Sequence, residues 1–138
     1  MFVESRDQAR RFFFAVWAKM SAGAALEPLD AVVAGVIRAH PEYHRLLEQG
    51  ERALERDFAT GEANPFLHMG MHVALVEQLQ SDRPAGIRAL YQQLLMQSGG
   101  DAHALEHQLL ECLAAVLWNA QSSGRPPDEQ DYLARVRR

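Results

Sequence analysis

The stretch Asp101–Gly124, DAHALEHQLLECLAAVLWNAQSSG, decides the fold class. Asp101 is a good N-cap, because a short carboxylate there accepts hydrogen bonds from the orphaned N–H groups of the first helical turn. Neither proline nor glycine follows until Gly124, and glycine supplies the left-handed residue at which helices commonly stop. The pattern predicts a helix from the Asp101 cap to about Gln121. The same rules work outward along the chain. They predict a first helix over Arg6–Met20, with Ser5 as its cap and a stripe of Phe13, Val16, Trp17 and Met20. A second helix follows Glu27-Pro28 and ends near His40, because the residue before Pro41 is pushed out of the α region. Pro41 opens a third, through about Glu55, and Phe58–Ala63 reads as a loop. Asn64 and Pro65 start a fourth, to about Ser81. Pro84 opens a fifth, which Ser98-Gly99-Gly100 stops, and Pro126-Pro127-Asp128 starts a short last helix.

Composition points the same way. Ala and Leu total 38 residues against 12 for Val, Ile and Thr, and β-branched residues are the ones that favour strands. The expectation is an all-α fold, a single helical domain over residues 1–138 with six to seven helices. Apolar residues at 48% and charged residues at 23% mark a globular chain rather than a disordered one. The formal charge of −4 and the lack of a basic stripe speak against nucleic acid as a partner. Cys112 is the single cysteine, which excludes an intrachain disulfide and suits a reducing compartment. No run approaches the ~18 apolar residues that span a bilayer. The charged start, Met1 to Arg11, is unlike a secretory signal, so the expected location is the cytoplasm, away from membranes.

The six histidines form three pairs, His40–His44, His68–His72 and His103–His107, each spaced i, i+4. Random placement yields only ~0.2 such pairs, by a count in the spirit of template matching. On a helix this spacing stacks two side chains on one face, so two imidazoles can chelate one metal ion. His68 and His72 continue into Leu75 and Leu79. His103 and His107 continue into Leu110, Ala114 and Leu117, so both pairs are expected on core-facing stripes. Gly70, between His68 and His72, reads as room for a backbone or a ligand. Glu111 lies four residues after His107, alone among apolar neighbours, where a carboxylate is costly unless paired, protonated or metal-bound.

The expected metal ligands are therefore His68, His72, His103, His107 and Glu111. His44 and Glu48 repeat the His-x-x-x-Glu spacing and join them, as does Glu77 near His72, as a ligand or a neighbour of one. His40 is assigned instead to the end of helix two, where its charge would suit the helix dipole. Imidazole and carboxylate without thiolate suit iron first, then zinc or manganese. The Glu-x-x-His pairs of ferritin-like proteins are absent. The spacing is instead similar to hemerythrin, whose di-iron site draws on His pairs and carboxylates. His103-Ala104-Leu105-Glu106-His107 also has the inverted zinc-peptidase pattern. That likeness covers five residues of a much larger fold, but Glu106 remains a candidate base beside a metal-bound water. Cys112, Trp17, Trp118 and Phe12–Phe14 read as core residues, and Arg83 as an ion-pair partner at the core edge.

The whole length resembles a proteobacterial family defined as a domain of unknown function (number 1841). The resemblance is carried by Ser5–Phe13, His40-Pro41-Glu42-Tyr43-His44, Asn64–His72, Asp82-Arg83-Pro84, Glu106-His107 with Glu111-Cys112-Leu113, and Pro127-Asp128. It implies a bacterial protein and no particular activity. Two functions follow from the residues. The first is a helical metal-binding protein with a mono- or dinuclear site, serving redox or O₂ sensing, metal handling or a small enzymatic reaction. The second is a metal-free helical adaptor that binds a protein partner, with structural histidines; the expected partners are a metal ion and either a protein or a second copy of the chain.

Overall fold

The computed structural model describes residues 6–53 and 64–138. The fold is all-α, and no strand occurs among the described residues. The helices are α1 (Arg6–Ala22), α2 (Pro28–Arg38), α3 (His44–Glu48), α4 (Pro65–Ser81), α5 (Ile87–Gln97), α6 (Ala102–Ser123) and α7 (Glu129–Arg137). Two 3₁₀ segments, Pro41–Tyr43 and Gly50–Ala53, flank α3.

Most helix starts follow from side-chain caps. The Asn64 Oδ1 accepts from Phe66 N at 3.0 Å and Leu67 N at 3.3 Å, which fixes the first turn of α4. Asp101 accepts from Ala104 N at the start of α6, and Asp128 from Gln130 N and Asp131 N at the start of α7. At α2, Glu27 and Asp30 form a capping box.

Two expected elements differ. The third helix is broken: it begins as a 3₁₀ turn, and Gly50, at φ 60°, ends α3 after five residues. Its expected end near Glu55, the loop Phe58–Ala63 and the Ser5 cap lie outside the described residues. The fifth helix starts at Ile87 and not at Pro84. Asp82 accepts from Gly86 N (3.4 Å) and Arg88 N (3.0 Å), and Gly86 adopts φ 95°, so a carboxylate-bound turn precedes the helix.

The chain divides into two compact units, Met1–Val73 and Ala74–Arg138. In the first, α1 packs on α2 and α3. Phe13, Val33, Ile37 and Met69 are fully buried, each worth roughly 1.5–3 kcal/mol of apolar transfer. Phe66 meets Phe13 and Phe14 at ring distances of 6.3 and 5.7 Å, and the Arg10 guanidinium lies over the Phe66 ring, 4.7 Å from its centroid. Lys19 donates to Asp30 at 2.7 Å, tying the end of α1 to the start of α2.

In the second unit, Leu105, Leu109, Leu113 and Val116 of α6 are buried, as are Tyr132, Leu133 and Val136 of α7. The Tyr132 hydroxyl donates to Gln78 Oε1 at 2.9 Å, and burial pushes its pKa up to about 12. Trp118, expected in the core, is 68% exposed. It lies two residues past Val116, about 200° around the helix from the buried face.

Replacing Asn64 by Ala is expected to lower stability by ~1 kcal/mol, measured by urea unfolding, because two N–H groups of α4 lose their acceptor. Asp30 is held below its ordinary pKa of 3.8, first by the Lys19 hydrogen bond and then by the Glu27 N–H. The folded state therefore binds this proton more weakly. The stabilisation is complete above 3.8 and is lost as pH falls through the lower folded value. Lys19 is 42% exposed, so solvent screens the pair and the effect is small. Urea midpoints measured against pH should fall less steeply in acid for Asp30→Asn than for the parent.

Candidate metal centre

The residue before a proline leaves the α region, and His40 does so, at φ −127° and ψ 63°. α2 ends, and the chain turns into the 3₁₀ segment. The His40 ring folds back onto α2 and is 3% exposed. Its Nδ1 lies 2.8 Å from the Val36 carbonyl oxygen. A carbonyl only accepts, so Nδ1 carries a proton, and in the neutral ring that a metal ion binds Nε2 is the nitrogen with the lone pair. That Nε2 is buried with no hydrogen-bond partner. An unmet buried acceptor costs roughly 1–3 kcal/mol, so this nitrogen calls for a ligand.

Helical spacing on α4 brings His68 and His72 together. Their Nε2 atoms are 3.2 Å apart and their rings 4.7 Å apart. His40 meets both rings edge-on, at 5.0 Å from His68 and 4.6 Å from His72. One ring nitrogen of each histidine lies within 4.8 Å of the other two. Nitrogens bound ~2.0–2.1 Å from a tetrahedral ion stand about 3.3 Å apart. The His68–His72 spacing already matches this, and the His40 nitrogen, within 4.8 Å of both, has at most about 1.5 Å to close onto the same ion. The His40 bond to Val36 is the kind of contact that orients an imidazole ligand and raises its basicity.

Tyr43 forms a wall of the cluster. Its ring stacks on His40 at 5.5 Å with an interplanar angle of 6°, and meets His68 edge-on at 6.3 Å. Burial raises the Tyr43 phenol pKa, with the Glu42 charge adding to it. His44 turns elsewhere: its Nε2–H donates to Ile37 O at 2.8 Å, and its ring lies 4.8 Å from Trp17. Glu48 is exposed. A Cβ at Gly70 would meet nothing within 4 Å, so no close approach requires that glycine.

The other expected site residues lie in the second unit. The His103 and His107 rings are 4.3 Å apart, with His103 exposed and His107 half-buried. Glu111 is exposed, because the buried face of α6 runs through Leu105, Leu109 and Leu113 and not along the His103–His107–Glu111 row. Contrary to the expectation from its apolar neighbours, the Glu111 carboxylate is solvated and needs no partner to offset burial. Glu106 is half-buried, and its charge adds to the burial that raises the Tyr91 phenol pKa. Glu77 has one buried carboxylate oxygen without a hydrogen-bond partner. Arg83 is exposed. Among the described residues, the group of three or more His, Cys, Asp or Glu with convergent ligand atoms is His40, His68 and His72.

Sequence reasoning passed over His40 as a ligand. The signal was present, since His40 shares the i, i+4 spacing of the other pairs. The proline that ends α2 reads as a helix stop, and it also turns the ring inward.

The chain belongs to the family described as Domain of unknown function (DUF1841). The match spans residues 5–138 and so includes all three cluster histidines. No curated protein and no solved structure matches the chain. No helix among the described residues is long and apolar enough to cross a membrane.

Cys112 is half-buried, and burial raises its thiol pKa. The thiolate is the nucleophile, so iodoacetamide should alkylate Cys112 more slowly than free cysteine at neutral pH, with unfolding in urea restoring the ordinary rate.

Proposed function

We propose that this chain binds a divalent transition-metal ion through His40, His68 and His72. The observation that carries the proposal is the buried, unpartnered Nε2 of His40, whose tautomer the Val36 carbonyl sets, beside two further ring nitrogens. Imidazole donors suit zinc, iron, copper and nickel, whereas calcium and magnesium prefer oxygen. Three imidazoles fill three positions of a tetrahedral shell; a water or substrate in the fourth gives an ion that takes part in chemistry or sensing, and a protein side chain there gives a closed structural site. His103 and His107 have the same chelating spacing and are proposed as a weaker, separate pair; Glu111, Glu77, His44 and Glu48 come after them.

The test is elemental mass spectrometry on tag-free protein purified without chelator. About one equivalent of zinc or iron is expected, and a ligand at 100 times its Kd should add ~2.7 kcal/mol to stability. His40→Ala, His68→Ala and His72→Ala should each lose the ion while keeping the helical circular dichroism. His103→Ala and His107→Ala should retain it. Full metal content in His72→Ala overturns the ligand set.

A second reading has its own observation: Leu117 is 42% exposed and the adjacent Trp118 68%, an apolar pair that suits a protein partner. It predicts no stoichiometric metal in the same measurement.

A further inference from the structure

We infer that the second unit pairs two copies of this chain, with Trp118 of each copy seated in a groove of the other. The pairing neither needs the metal ion nor excludes it. The groove lies wholly within Ala74–Arg138, between α6, the turn after α4 and the start of α7, and holds about 230 Å³. It is mostly apolar: the buried side chains of Leu113, Val116 and Tyr132 line it, together with the exposed Leu117. The Tyr132 hydroxyl already donates to Gln78. Sites for cofactors and other small molecules run to ~300–1,000 Å³, so this groove suits one large side chain.

The chain itself presents such a side chain. Trp118 is 68% exposed and stands outside its own groove, one position past Leu117 and so ~100° around α6. A knob and its receptacle side by side on one surface meet the requirement of a two-fold pair, in which residue i of each copy meets residue j of the other. The charges on the groove are self-complementary as well. Arg83, from the turn after α4, and Glu129, from the start of α7, both line it. Both are exposed, and neither forms an ion pair among the described residues. A two-fold rotation can set Arg83 of each copy against Glu129 of the other, so opposite charges meet where the indoles dock. Each indole buries ~150–250 Å². Two of them make a contact at the small end of specific interfaces, so the pair should form reversibly with concentration.

Sedimentation equilibrium on the whole, tag-free chain tests this from micromolar to near-millimolar concentration. The expected mass rises from one chain to two. Trp118→Ala should stay monomeric throughout with unchanged helical circular dichroism, because the side chain is exposed in the single chain. Arg83→Glu and Glu129→Arg should each weaken association by about tenfold, the sum of two exposed ion pairs, and the double variant should recover most of that loss. Metal content should be the same in Trp118→Ala as in the parent protein, so the pairing and the three-histidine centre stand or fall separately. A parent protein that is monomeric at every concentration overturns the inference, as does a dimer that survives Trp118→Ala. Loss in the single charge variants that the double variant fails to recover overturns the two-fold arrangement.

Discussion

Pro41 disfavours the α conformation in the residue before it, and the candidate centre depends on that one constraint. It ends α2, sends His40 to φ −127°, and starts the 3₁₀ turn that carries Tyr43. The His40 ring then lies within reach of the Val36 carbonyl, one turn back on the helix it has just left. In the neutral ring, the resulting hydrogen bond places the proton on Nδ1. Nε2 is then a buried lone pair, an arrangement that is unfavourable alone and favourable beside a cation. Tyr43, stacked on the same ring, holds its plane.

The other half of the cluster comes from α4, and its position is set at the start of that helix. Asn64 caps the first turn, and Phe66 packs on Phe13, Phe14 and the buried Arg10 of α1. These contacts fix the rotation of α4 against α1. Because side chains four apart share a face, fixing Phe66 also fixes where His68 and His72 point. A short helix-to-helix distance is not needed to make a chelate of this kind; one helix supplies two donors and a single residue at the end of another supplies the third.

The helix stops and starts were legible because they are local. Asn64, Asp101 and Asp128 cap their own helices, and Gly124 ends α6 in the left-handed region, all within a few residues of the signal. The His68–His72 chelate was legible for the same reason, since it needs only helical periodicity. Periodicity alone was weaker for α6. Its apolar residues are numerous enough to draw two overlapping stripes, and packing against α7 chose the one through Leu105, Leu109 and Leu113. That choice left Glu111, Leu117 and Trp118 facing water.

By itself, then, the sequence determined that the chain is helical, where most helices begin and end, and that its histidines come in chelating pairs. Each of these depends on side chains within about one turn of one another. The tertiary structure alone decided that His40 joins His68 and His72 while its own sequence partner, His44, bonds to Ile37 instead. The physical reason is that His40 and His68 are far apart in the chain. Only packing of the end of α2 against the face of α4 determines whether their nitrogens meet.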